Sequence, residues 1–260
     1  MKIGIIGCGN LGGSLLKGLL KAGAVKADKI IAADVDGKKL EPLRKLGVET
    51  TSDNKKAADA DVILIAVKPG LVGEALDELK LSDDKLLISL SAGVTIKTLE
   101  GHTDARVIRV MPNICGLVAE MASCYSLGTK ASKSDEEVVN KLLGSLGVTF
   151  NVEEGLMDAV TGLSGSGPAY FYTFIKALKE EGVRLGLPED VALKLAAQTA
   201  KGAGETALSS GKDLGELTDM VCSPKGTTIE GLKVLENEKV AEALKNAMRA
   251  AVKRSRELSQ

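Results

Sequence analysis

The sequence predicts an α/β chain in which a doubly wound, mainly parallel sheet is followed by an all-helical second half, and three observations predict it. Over about the first 150 residues, short β-branched runs alternate with helical stretches; a glycine-punctuated turn joins the first run to the first helix; and beyond residue 152 nearly everything carries helical periodicity.

Strands are predicted at 2–6, 29–33, 48–50, 62–66, 86–89 and 106–110, most of them apolar without polar alternation, as expected where helices cover both faces. Residues 10–21 place Leu11, Leu15, Leu19 and Leu20 at near-helical spacing, and a second helix over 38–46 stops at Gly47. Past Glu153, the residues Phe171, Phe174, Ile175 and Leu178 recur at i, i+3, i+4 and i+7 on one face. Gly186-Leu187-Pro188 breaks the chain before a helix whose Ala192, Ala196, Ala197, Ala200, Ala203 and Gly204 let backbones approach closely. The division is therefore a Rossmann-type dinucleotide-binding domain at 1–152 and an all-helical domain at 153–260. About 100 helical residues with few large side chains make a thin core alone, so the second half is expected to dimerise.

Charge and composition narrow the partners. With 34 basic against 35 acidic side chains there is no basic face for a phosphate backbone, and no Trp with only three Phe and three Tyr leaves no stacking platform for bases. Nucleic acid is not expected. The apolar start is broken by Gly4 and Gly7 and reads as a strand rather than a signal peptide, and no apolar run approaches the roughly 18 residues needed to cross a bilayer. A cytoplasmic protein is expected, without a membrane partner. Cys8, Cys115, Cys124 and Cys222 show neither CxxC spacing nor a histidine cluster, so neither a disulfide framework nor a metal site is expected.

Gly7-Cys8-Gly9-Asn10-Leu11-Gly12 spells GxGxxG between a strand and a helix, the context that gives the pattern its meaning. Gly7 permits the tight turn, Gly9 lets backbone approach a pyrophosphate, Gly12 lets helix and strand touch, and the helix N-terminus favours the anion. Asp34, 22 residues past Gly12, ends the second strand, where a carboxylate accepts ribose hydroxyls and repels a 2′-phosphate. NADH or NADPH is the expected cofactor, with NADH mildly favoured by Asp34; Lys38 and Lys39 stand close enough in sequence to offer a phosphate some compensation.

Two further turns are rich in glycine and hydroxyls. Thr161-Gly162-Leu163-Ser164-Gly165-Ser166-Gly167-Pro168 leads into the Phe171 helix, and Val221-Cys222-Ser223-Pro224-Lys225-Gly226-Thr227-Thr228 leads into the helix of Ile229, Leu232 and Leu235. Small residues and hydroxyls at a helix N-terminus make a carboxylate cradle.

With Ala66-Val67-Lys68-Pro69, Ser91-Ala92-Gly93-Val94 and Arg109-Val110-Met111-Pro112-Asn113, these segments and the opening fingerprint closely resemble the pyrroline-5-carboxylate reductase family over nearly the whole chain. The resemblance implies reduction of the cyclic imine 1-pyrroline-5-carboxylate to L-proline by hydride transfer to C5. It implies cofactor contacts at Gly7, Gly9, Asn10, Leu11, Gly12, Asp34, Asn54, Ala66, Val67, Lys68 and Pro69, with Pro112 and Asn113 at the nicotinamide end. It also implies substrate binding by Ser223, Gly226, Thr227 and Thr228, and a catalytic hydrogen bond between Thr161 and the ring nitrogen. The family's substrate site lies between interlocked subunits, so a homodimer, or an oligomer of dimers, is implied. Three positions depart from the family: Ile114-Cys115 replaces its usual Thr-Pro, and Gly70 its usual glutamine.

The only histidine, His102, lies in a polar loop after the fifth strand and is read as a solvated side chain rather than a catalytic acid. A β-hydroxyacid dehydrogenase would need a lysine near the start of the long helix, where Phe171 stands. A non-catalytic cofactor sensor is the other rival, disfavoured by the intact hydroxyl-rich loop.

Overall fold

A computed structural model describes residues 1–258. The first part of the chain alternates β1 (Ile3–Ile6), α1 (Asn10–Lys21), β2 (Ile30–Ala33), α2 (Gly37–Arg44), β3 (Glu49–Thr51), α3 (Asn54–Ala58), β4 (Val62–Ile65), α4 (Val72–Leu79), β5 (Leu86–Ser89), α5 (Ile96–Glu100) and β6 (Arg106–Met111). Then come β7 (Met121–Leu127), α6 (Lys133–Gly144) and β8 (Gly147–Asn151). The eight strands form one sheet in the order β3-β2-β1-β4-β5-β6-β7-β8. Every pairing is parallel except β6 with β7. Sequence reading located the first six strands within a residue or so and missed β7 and β8. Their hydroxyls and small side chains hide them: Ser123 and Ser126 are buried and donate to the carbonyls of Val148 and Val152 at 3.2 and 2.6 Å.

Period-two alternation divides the core between the two faces of the sheet. Ile3, Ile5, Leu64, Ile88 and Ile108 meet the leucines of α1, α2 and α6, and Ile63, Ile65, Leu87 and Val107 meet α3, α4 and α5. Leu16 and Leu76 are fully buried, each contributing about 1.5–3 kcal/mol.

The described residues form two compact units, residues 1–166 with 250–258, and residues 167–249. The first contains the sheet, α7 (Met157–Val160), and a π-type turn at Thr161–Gly165 marked by the i+5 bond from Ser166 N–H to Thr161 O at 2.8 Å. The second holds α8 (Gly167–Arg184), α9 (Glu189–Ser209), α10 (Leu214–Val221), α11 (Thr227–Asn237) and the start of α12 (Val240–Leu258). The last turns of α12 belong to the first unit, where Ser255 Oγ donates to Asp158 Oδ1 at 2.6 Å.

Helices α8 and α9 pack through their small residues, with Ala192 and Ala196 buried. The expected apolar face of α8 is present but uncovered: Phe171 is 63% and Leu178 61% exposed. Among the described residues no helix is long and apolar enough to cross a membrane.

Candidate active site

The parallel register sets the level of the site. Ile6 pairs with both Ala33 and Ile65, so β1, β2 and β4 end together and Gly7, Asp34 and Ala66 are each the next residue. Two bonds extend the ladder into these turns, from Gly7 N–H to Ala33 O at 2.9 Å and from Ala66 N–H to Ile6 O at 2.8 Å. Between β1 and β4 the strand order reverses, and the crevice beyond their carboxyl ends is where ligands of open α/β sheets bind.

The three fingerprint glycines hold the places their spacing predicts. Gly7 has φ +92°, and a Cβ there would lie 2.8 Å from the Ala66 carbonyl. A Cβ on Gly12 would overlap Gly7 O and come within 3.0 Å of Ala66 Cβ, so α1 sits directly on the turns. A Cβ on Gly9 would instead meet nothing within 4 Å, pointing into open space above the N-terminus of α1, which no side chain caps. Bare N–H groups, a positive helix end and a glycine-lined approach suit a pyrophosphate, so the residues present fit a dinucleotide.

A cleft of about 460 Å³ runs from these turns and gathers Gly7, Gly9, Asp34, Asn54, Ala66, Val67 and Lys68. Asn10 borders an adjoining cavity of about 230 Å³, while Leu11 and Gly12 are in α1, half-buried and buried, and Pro69 opens a short 3₁₀ turn. Ser91 Oγ donates to Val67 O at 2.9 Å, which fixes the 66–69 turn. Sequence reading missed the opposite wall, where Leu71, Glu74, Ala75 and Glu78 line the cleft at i, i+3, i+4 and i+7. That period was the available signal.

Asp34 is buried, and both its oxygens are engaged: Oδ2 accepts Cys8 N–H at 2.8 Å and Oδ1 accepts Asp36 N–H at 2.9 Å, while Lys39 Nζ stands 3.2 Å from Oδ1. Burial alone would raise its pKa, but the two amides and the ammonium together hold it below 3.8. Burial, with the Asp34 charge adding to it, pushes the neighbouring Cys8 thiol up to about 12, which keeps it protonated beside the glycine turn.

A second cluster forms where β6 ends. Pro112 and Asn113 are buried; Asn113 Oδ1 caps Cys115 N–H at 3.1 Å, and its Nδ2 donates to Ser164 O at 3.2 Å, tying β6 to the π-type turn of Thr161. Thr161 Oγ1 donates to Met157 O at 2.8 Å, so the hydroxyl proton is directed into the preceding turn and the oxygen keeps lone pairs to accept another donor. On the same face, Arg109 is buried and donates to Glu154 Oε1 at 2.9 Å, a pair 45 residues apart that sequence reading did not single out. His102 is half-buried against Asp77, with Nδ1 2.8 Å from Oδ1. It lies outside the cleft beside Gly7 and Asp34.

In the second unit, Ser223, Gly226, Thr227 and Thr228 converge at the start of α11. Gly226 N–H donates to Ser223 O at 2.8 Å, Lys225 takes φ +59°, and Gly226 caps the helix without a side-chain bond.

Residues 154–258 match the family model described as pyrroline-5-carboxylate reductase dimerisation, and residues 2–93 match one described as NADP oxidoreductase, coenzyme F420-dependent. Pyrroline-5-carboxylate reductases of Pisum sativum and Methanosarcina acetivorans are each 43% identical to this chain over 263 residues, covering 99% of it and 96% and 97% of theirs. The crystal structure of Plasmodium falciparum pyrroline carboxylate reductase with NADP bound superposes with a TM-score of 0.91 at 31% identity, covering 100% of this chain and 98% of that one.

Proposed function

The chain belongs to the pyrroline-5-carboxylate reductase family, and from that premise we infer that it reduces 1-pyrroline-5-carboxylate to L-proline, with NADH or NADPH as reductant. The observation that carries the reading is the cleft at the switch point, whose open Gly9 and uncapped α1 fit a dinucleotide. When bound, the reduced nicotinamide supplies a hydride, two electrons and one hydrogen, to C5.

The chain supplies position and charge. Residues 1–152 hold the cofactor, through Gly7, Gly9, Asn10, Leu11, Gly12, Asp34, Asn54 and the 66–69 turn, with Pro112 and Asn113 at the nicotinamide end. Asp34 gives NADH a mild advantage. Residues 153–260 dimerise and bind the substrate, its carboxylate received by Ser223, Thr228 and the N–H groups of Gly226 and Thr227.

The imine nitrogen must carry a proton for C5 to become electrophilic. Thr161 directs its own proton to Met157 O, so its oxygen is arranged to accept the N–H of an iminium that arrives protonated from solvent. Thr161 thereby selects the reactive form, and the balance is one hydride to carbon and one proton already on nitrogen. The four free thiols fit the cytoplasmic location expected from composition. The uncovered face of α8 supports a homodimer, alone or within an oligomer of dimers. Oxidation of NADH and NADPH with 1-pyrroline-5-carboxylate tests the reading: turnover lost in Thr228→Val supports it, and no turnover with either cofactor overturns it.

A further inference from the structure

The Asp34 carboxylate is full. Lys39 Nζ straddles it at 3.2 Å from Oδ1 and 3.4 Å from Oδ2, while Asp36 N–H occupies Oδ1 and Cys8 N–H occupies Oδ2. A carboxylate offers about four acceptor positions, so with Lys39 in place none is left for a ribose diol. The negative charge that would repel a 2′-phosphate is meanwhile compensated.

The three donors differ in freedom. The Cys8 and Asp36 amides are held by the turns after β1 and before α2, where Asp36 is itself the helix cap. The Lys39 side chain is 44% exposed on a flexible stem. Only the ammonium can leave without unfolding a turn. Lys39 also borders both the main cleft and the adjoining cavity, with Gly9 common to the two, whereas Lys38 borders neither. The remaining charges along the cleft, Lys68, Glu74 and Glu78, are not on Asp34, and Glu78 faces Lys55 at 3.9 Å.

We propose that Lys39 determines which dinucleotide this chain accepts. Seated on Asp34, it neutralises the carboxylate and offers a remaining N–H to a 2′-phosphate; swung away, it frees the carboxylate for the two ribose hydroxyls of NADH. One side chain with two positions thus keeps the NADH preference mild, where an unpaired Asp34 would make it strong. The inference rests on the reading of the cleft as a dinucleotide site.

Calorimetric titration with 2′,5′-ADP and with 5′-ADP separates the two. Wild type is expected to bind both. Lys39→Met is expected to weaken 2′,5′-ADP by about tenfold or more, the loss of one charge-assisted contact, and to leave 5′-ADP unchanged or tighter. Lys39→Arg is expected to restore 2′,5′-ADP, and adding Asp34→Asn to Lys39→Met to reduce the discrimination again by removing the repulsion. Lys39→Met weakening both nucleotides equally, or neither, would overturn the role of Lys39 with the site intact. Wild type binding neither nucleotide would overturn the dinucleotide reading itself, and the proposal with it.

Discussion

Arg109 Nη1 lies 2.9 Å from Glu154 Oε1, the same oxygen that receives Ile96 N–H at 2.6 Å. One carboxylate thereby fastens β6, the start of α5 and the segment that runs on to Thr161. The Arg109 side chain is 5% exposed and its Nη2 has no hydrogen-bond partner among the described residues, so Glu154 is its counter-charge. Removing Glu154, itself 32% exposed, leaves the buried Arg109 charge uncompensated. Glu154→Ala is expected to lower the urea-unfolding free energy by about 2 kcal/mol, and Glu154→Gln, which keeps an acceptor, by about 1 kcal/mol. Equal stability of all three proteins would show that the pair contributes nothing net.

The fingerprint glycines separate folding from binding. Gly9→Ala places its methyl in open space on an extended backbone (φ −67°, ψ −161°), so stability is expected to change by no more than about 1 kcal/mol. Dinucleotide affinity should fall about tenfold or more as the methyl occupies the pyrophosphate approach. Gly12→Ala drives a methyl into Gly7 O and should cost about 1–3 kcal/mol in stability as well. Thermal melting beside nucleotide titration distinguishes the two variants.

Thr161 can be probed at constant shape. Thr161→Val keeps the volume and loses the oxygen, and kcat is expected to fall about 10- to 100-fold, the range for a hydrogen bond to a charged group. Thr161→Ser should retain most activity. An unchanged kcat in the valine variant would remove Thr161 from the transition state.

Acid stability should depend on two buried carboxylates. Asp34 and Asp135 are both held below 3.8: burial opposes the shift, and in each case hydrogen bonds outweigh it, from the Asp36 and Cys8 amides and Lys39 at Asp34, and from Ser132 and Arg106 at Asp135. A depressed folded-state pKa adds stability that is present above 3.8 and is lost as pH falls through the lower folded value. Asp135→Asn should therefore be less stable than wild type at neutral pH and lose less on acidification below 3.8. Parallel unfolding curves for the two proteins at every pH would contradict this.

The α8 face predicts the assembly. Phe171→Glu and Leu178→Glu alter exposed positions and should leave far-UV circular dichroism unchanged while shifting sedimentation equilibrium toward monomer. A dimer of undiminished affinity would move the interface elsewhere.

What was legible in the sequence was whatever local spacing encodes. GxGxxG, the uninterrupted apolar strands and the acidic end of β2 all sit where pattern placed them, because each is fixed by backbone geometry within a few residues. The antiparallel β7 was hidden because Ser123 and Ser126 satisfy their hydroxyls only through β8 and the residue after it, contacts over 25 and 26 residues. The occupancy of Asp34 was equally invisible. Its position was readable, but whether its oxygens are free depends on Cys8, brought across the sheet by the pairing of β1 with β2. Glu154 carries no local pattern at all.

The path of α12 bears on how the protein is made. Its last turns, residues 250–258, pack in the same unit as the sheet that begins at Ile3, with residues 167–249 inserted between. During synthesis from the N-terminus, the eight strands are all available long before the partner of Asp158 emerges at Ser255. The nascent first unit must therefore wait, missing one helical strap, until the inserted helices have been translated. Its final consolidation therefore follows the synthesis of the inserted residues 167–249.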